Sequence, residues 1–266
     1  MDISILGPFD ARISGRRLTP TAAKPAKLLA LLAVEKGRTV ALDDCIRELW
    51  PGRAPRTANA AIHTYVSKLR ETLAVAAPGT DPKSVLRTRP GGYTLTPHTW
   101  SSDQEDFERL AERGHRAASA GDDAAASAQF RRSLALWKGA ALSNIEAGPL
   151  LELRRTELEE RRKAAYERCV AAELRLGRHY ELLGELVAQA AVDRTNEQLH
   201  THLMLALYRV GRRVQALQVY RDLRRQLVKE LGLEPSPGVQ ALHRAILSAD
   251  RSLYDAWTPA QDRRTA

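Results

Sequence analysis

Residues 56–73 combine one apolar edge, Ile62, Val66, Leu69 and Leu73, with an opposite edge built from small and polar side chains. At about 100° per residue, Thr57, Ala60, Ala61, Thr64, Ser67 and Lys68 fall away from the apolar edge, and His63 and Arg70 flank them. Such a helix rests on a core with one side and on something polar with the other. Small residues let its backbone approach a partner closely, while Arg56, Lys68 and Arg70 supply positive charge. The stretch from Val85 to Leu95 follows, two short β-prone runs pinched at Gly91 and Gly92 and carrying Arg87 and Arg89. A recognition-type helix followed by a basic hairpin predicts a DNA-binding winged helix.

Charge distribution agrees with that reading. Residues 1–97 hold 15 Lys and Arg against 8 Asp and Glu, so +7 of the +9 net charge sits beside the helix and hairpin. Charge concentrated there is the electrostatic footprint of a polyanionic partner. The 266 residues, 44% hydrophobic but only 5% aromatic, suit two soluble domains with leucine- and alanine-rich helical cores. Cys45 and Cys169 are isolated thiols and suggest neither a disulfide framework nor a zinc site, which fits a reducing cytoplasm. The N-terminus has no basic start and no apolar run, and no window approaches the ~18 apolar residues of a membrane span. A protein neither exported nor embedded is expected.

Along the chain, residues 3–19 read as short antiparallel strands, with Gly7-Pro8 as a turn. Pro25 suits a first helical turn, and Leu28, Leu29, Leu31 and Leu32 make an apolar helix ending near Gly37. Thr39 to Ala41 can form one short strand. A second helix from about Asp43 to Leu49 buries Ile46, Leu49 and Trp50 before Pro51-Gly52 stops it, and Thr57 is expected to N-cap the third. Residues 76–84 read as a Pro/Gly-rich loop. The expected architecture is an α+β winged helix-turn-helix with a small antiparallel sheet and a C-terminal hairpin wing.

Beyond Leu95 the texture changes. Pro97 to Asp103 reads as a polar connector, with Asp103 capping a helix that begins near Glu105. The boundary falls at about residue 98, giving domains 1–97 and 98–255 and a frayed tail at 256–266. The second domain is expected to be all-α. Gly177 and Gly211 stand 34 residues apart; Ala216 and Tyr220 follow the second glycine at offsets that Ala126 and Phe130 repeat after Gly121. A 34-residue period is that of tetratricopeptide helical hairpins, although the 56 residues from Gly121 to Gly177 require an insertion. Pro235 and Pro237 separate a long helix from a last one, Val239 to Leu247.

The stretch from Lys24 through Leu32, the pair Leu49-Trp50, the helix Arg56 to Arg70, and Arg89 to Tyr93 together resemble the OmpR-type winged-helix domain of the Streptomyces antibiotic regulatory protein family. Trp137 to Leu142 and Glu230 to Pro237 resemble motifs of that family's bacterial transcriptional activation domain, a tetratricopeptide-like array. The resemblance implies an activator of secondary-metabolite genes that binds direct repeats in double-stranded DNA near promoters and contacts RNA polymerase holoenzyme. It implies base reading by Thr64, Ser67, Lys68 and Arg89, with Lys24, Arg53, Arg56, Thr57, Arg70 and Arg87 toward the DNA backbone. The loop Pro51, Gly52, Arg53, Ala54, Pro55 and Arg56 corresponds to the segment offered to polymerase. Some relatives carry paired basic residues where this chain has Ser67 beside Lys68, so readout here is expected to lean on DNA shape. Larger members continue into a nucleotide-binding domain; the absence of a phosphate-cradling G-x-x-x-x-G-K-[ST] loop implies a small member without ATP-dependent control.

Other chemistries fit poorly. His200 and His202 point about 200° apart on a helix and cannot clamp one ion, so they are helix-surface or packing residues. Asp122-Asp123 and Glu159-Glu160 suit capping and solvation rather than acid/base work. No G-x-S-x-G elbow occurs. No cofactor and no enzyme activity are expected. The helical half is open to three roles: binding a peptide, bracing the first domain, or side-by-side self-association on DNA. A second reading makes the chain a helical-repeat adaptor whose basic N-terminal domain docks an acidic protein.

Overall fold

The structure is a computed structural model and describes residues 1–96 and 101–255; the expected frayed tail and most of the expected connector lie outside them. Its contacts divide the chain into two compact units. Among the described residues, one comprises 1–96, 101–112 and 132–165, the other 113–131 and 166–255.

The first unit opens with β1 (Asp2–Ser4), β2 (Asp10–Ile13) and β3 (Arg16–Arg17), paired antiparallel as expected. Helices α1 (Ala23–Val34), α2 (Leu42–Leu49) and α3 (Ala58–Ala76) follow, with β4 (Val40–Ala41) between the first two. A four-residue helix α4 (Pro82–Val85) occupies part of the segment read as loop, because Asp81 accepts from the Lys83 amide and Pro82 starts the turn. Strands β5 (Leu86–Arg89) and β6 (Gly92–Leu95) form the hairpin, and β4 adds to it in the order β4-β6-β5. The core lies where Leu29, Leu69, Leu73, Leu86 and Leu95 meet Met1 and Leu18, leaving a void of only about 10 Å³.

One strand was not expected: β7 (Ser101–Ser102) pairs parallel with β1, completing the sheet β3-β2-β1-β7. Helix α5 (Asp103–Ser119) starts two residues before the expected Glu105, and the Asp103 carboxylate reaches back to accept from the amides of Ile5 (2.8 and 3.0 Å) and Leu6 (3.2 Å). Burial pushes that carboxyl above its ordinary range, partly offset by these amide donors. The turn at residues 5–9 is held further by residues 138–144. Lys138 N donates to Leu6 O, Leu142 N to Ile5 O and Ser143 N to Gly7 O, while Asn144 bonds both Phe9 N (2.6 Å) and Phe9 O (3.1 Å). Trp137 anchors that segment, lying edge-on to Phe107 at 5.5 Å with the Arg162 guanidinium over its face.

Glu48 of α2 is fully buried. Its carboxylate accepts from the amides of Gly148, Leu150 (2.9 Å) and Leu151 (3.3 Å), capping the amino end of α7 (Pro149–Arg175).

The second unit is all-helical. It takes its residues from α5, α6 (Asp123–Leu134) and α7, then from α8 (His179–Val192), α9 (Glu197–Arg209), α10 (Arg213–Leu231), α11 (Pro237–Leu247) and α12 (Ser252–Asp255). Gly121, Gly177 and Gly211 all sit in the left-handed region, with φ of 77°, 78° and 82°. Each terminates a helix in the same way, for the residue after each glycine donates five residues back, to Ala117 O, Glu173 O and Leu207 O. The repeated glycine is thus a repeated Schellman stop. Five residues past each one, Ala126, Leu182 and Ala216 are buried against neighbouring helices. Around the first hairpin, Arg131 bonds Glu173 (2.6 Å) and Glu185 (2.7 Å), and Ser127 donates to Glu173.

The two histidines of α9 are buried, which removes the surface option and leaves packing. His200 Nδ1 bonds Asn196 O at 2.8 Å, whereas burial holds His202 down at about 4. Asp122 accepts from Ala125 N, and Asp123 pairs with Arg175, consistent with capping and surface pairing.

Candidate nucleic-acid interface

Helix α3 presents the two edges read from its periodicity. Ile62, Val66, Leu69 and Leu73 are buried, while Ala60, Thr64, Ser67 and Lys68 are exposed. The Thr64 hydroxyl donates to Ala60 O at 3.0 Å, so toward a partner it offers a methyl group and lone pairs rather than a proton. Ser67 and Lys68 keep their donors outward. Thr57 does not cap α3 with its side chain, contrary to expectation, because its φ of −90° and ψ of 9° keep the hydroxyl off the first-turn amides. An amino end without a side-chain cap suits an anionic oxygen.

The hairpin is tied to the helix rather than hanging free. Arg70 donates from Nε and Nη2 to Leu86 O (3.0 and 2.7 Å) and from Nη2 to Thr88 Oγ1 (2.8 Å), so most of its fork is spent inside the fold. His63 Nδ1 and the Tyr93 hydroxyl share a hydrogen bond of 2.6 Å. Burial keeps the Tyr93 phenol above its ordinary range. At the tip, Gly91 has φ of 75°, and any Cβ on Gly92 would stand 2.1 Å from Val40 O. The two glycines are therefore required by a left-handed turn and by close approach to β4. Arg89, beside this tip, is exposed; Arg87 is half-buried and donates from Nε to Ser84 O.

Between α2 and α3, Pro51, Gly52, Arg53, Pro55 and Arg56 are exposed and Ala54 is half-buried. Trp50 and Ile46 are only half-buried, against the expectation of full burial. The Lys24 ammonium sits 4.8 Å from the Trp50 ring centroid, and this cation–π contact fixes the first turn of α1.

Sequence reading passed over Glu71. It is exposed and lies within about 20° of Thr64 around the helix axis, so the polar edge ends in a carboxylate. The same helical arithmetic that selected Ser67 would have found it. Such a group repels phosphate and accepts from a cytosine amino group.

The thiols of Cys45 and Cys169 are buried, and burial pushes both up to about 12. Among the described residues no cluster of three His, Cys, Asp or Glu is placed to hold a metal, and no helix is long and apolar enough to cross a membrane.

An exposed recognition helix with a braced, arginine-tipped wing, followed by an all-helical part, defines a winged-helix DNA-binding transcriptional regulator. Residues 16–95 match the family "Transcriptional regulatory protein, C terminal", and residues 102–247 match "Bacterial transcriptional activator domain". Regulatory protein DnrI of Streptomyces peucetius is 42% identical over 94% of this chain and 93% of its own length. Regulatory protein AfsR of Streptomyces coelicolor is 37% identical over 98% of this chain, which spans only 26% of AfsR. Among solved structures, Mycobacterium tuberculosis EmbR in complex with a low-affinity phosphopeptide superposes with a TM-score of 0.85 at 33% identity, over 95% of this chain and 68% of that one. The chain belongs to the Streptomyces antibiotic regulatory protein family, whose members are transcriptional regulators and not enzymes.

Proposed function

We propose that this protein activates secondary-metabolite genes in the cytoplasm by binding direct repeats beside their promoters and drawing RNA polymerase holoenzyme to them. Residues 1–97 act as the DNA-binding domain and residues 98–255 as the activation domain. Thr64, Ser67 and Lys68 enter a major groove, where the Thr64 methyl suits a thymine methyl and Lys68 a guanine edge. Arg89 enters the adjoining minor groove, whose narrowing over A·T-rich sequence would be read as shape. Lys24, Arg53, Arg56, Thr57 and Arg87 position the protein on phosphates, with Arg70 contributing mainly by holding the wing. The loop 51–56 faces polymerase, and protomers lie side by side on successive repeats in one orientation.

The observation that carries this reading is the bracing of α3 to the hairpin through Arg70 and His63, which supports a helix and a wing presented as one rigid element. Rigid presentation matters because a base reader must hold its geometry before contact. Genome-wide occupancy followed by footprinting tests the reading. Protection of paired sites in the same orientation upstream of biosynthetic genes is expected, and protection without repeats would refute the side-by-side arrangement. On such a site, Lys68→Ala and Arg89→Ala should each weaken binding by roughly 1 to 3 kcal/mol, with affinity falling steeply as salt rises. No retention of duplex at low salt would instead favour the adaptor that docks an acidic protein.

A further inference from the structure

The second unit carries a groove of about 800 Å³ between α10 and α11. Its floor is a stacked pair, Tyr220 on His243, with ring centroids 3.7 Å apart and planes within 7°. Val228 and Leu247 form apolar walls that are 46% and 50% exposed, more than a core position tolerates. Four cations border it, at Arg221, Arg224, Arg225 and Lys229, against one lining carboxylate, Glu234.

These cations differ in their commitments. Arg224 is held by Glu234 (2.6 Å) and Arg225 by Asp222 (3.1 Å), while Arg221 and Lys229 make no ion pair with any described residue. Burial, with the field of Arg221 beside it, holds His243 below the ordinary imidazole range, and the floor is an aromatic platform under a positive rim. Arg221, Arg225 and Lys229 succeed one another at four-residue steps, one helical turn each.

We infer that this groove is a docking site for an acidic amphipathic peptide segment of a partner protein. Apolar anchors of the segment would fill the space between Val228, Leu247 and the Tyr220–His243 stack, and its carboxylates would meet Arg221, Arg225 and Lys229. The aliphatic walls separate this occupant from duplex DNA, since a phosphate backbone gains nothing from Val228 and Leu247. Charge separates it from a second copy docking through a basic face of this +9 chain. The groove is thus a second interaction surface, independent of the winged helix.

Fluorescence anisotropy of the full chain tests this with a labelled peptide bearing Leu or Phe at helical spacing and Asp or Glu elsewhere. Its controls are a permuted peptide of the same composition and a DNA duplex. The patterned peptide should bind, with the permuted one at least about tenfold weaker. Arg221→Glu with Lys229→Glu, both on exposed side chains, should weaken peptide binding by about tenfold or more, and Val228→Asp should do the same without changing the circular dichroism spectrum. Duplex affinity should survive all three changes. Equal binding of both peptides, or peptide binding indifferent to these variants, would overturn the assignment. So would a parallel loss of duplex affinity in the charge-reversed variant, which would make the groove a DNA contact, or loss of self-association in sedimentation as the sole consequence.

Discussion

At the scale of single residues, charge and burial make separable demands. Glu71 places a carboxylate on the polar edge that Lys68 makes basic, so removing it should strengthen binding to any duplex while relaxing preference at the base it faces. Glu71→Ala is expected to raise affinity for random duplex a few-fold, and gel shifts at two salt concentrations would measure it; unchanged affinity would put Glu71 outside the footprint. His202 makes a different demand. Its imidazole is held at about 4 in the fold against about 6.5 when unfolded, so the unfolded chain binds the extra proton between those values. Its contribution to stability is present above about pH 6.5 and lost as pH falls toward 4. Between about pH 7 and about pH 5 the loss from this residue is roughly 2 kcal/mol, and His202→Gln should flatten that part of the stability profile in urea titrations. Which side of α3 each residue occupies was legible from angle alone. Which partner it takes was not, because Arg70 and His63 look like their neighbours until β5 and β6 are folded beside them.

Elements with a period or a punctuation mark could be read, and those held by distant polar groups could not. The hairpin, the recognition helix and the glycine-stopped helices each carry their own local signal, alternation, a 3.6-residue stripe or a left-handed stop. Strand β7 has none, being two serines whose pairing depends on β1 a hundred residues earlier. The same holds for α7, whose amino end is capped from α2 by Glu48. Glu48→Ala leaves the Gly148 amide and two first-turn amides without that acceptor and should cost about 2 to 4 kcal/mol. Gly148 also packs closely on α2, since a Cβ there would stand 2.4 Å from Glu48 O. Gly148→Ala must push backbone against backbone, so its melting temperature should fall by several degrees, as that of Glu48→Ala should. If Gly148→Ala melts like the parent, the contact between α2 and residue 148 is looser than these distances require.

For the whole molecule, the covalent order of domains and the physical order of support differ. The turn at residues 5–9 lies at the start of the DNA-binding half, yet its polar groups are satisfied by Asp103 and by residues 138–144. A fragment ending at residue 97 keeps α1, α2, α3 and the hairpin but exposes the amides of Ile5, Leu6 and Phe9 and the faces of Ile5 and Phe9, both fully buried in the chain. Each lost bond to a buried amide costs on the order of 1 kcal/mol, and the exposed apolar surface adds to that. Marginal domains of that size have only about 5 to 15 kcal/mol in total. The fragment should therefore still bind duplex through the same face, with affinity limited by its folded fraction, but unfold at a lower urea concentration than the full chain. Native-state hydrogen exchange gives the sharper reading. Amides of residues 5–9 should lose most of their protection in the fragment while those of α3 keep theirs, and equal protection in both proteins would show that residues 101–165 lend the DNA-binding half no stability.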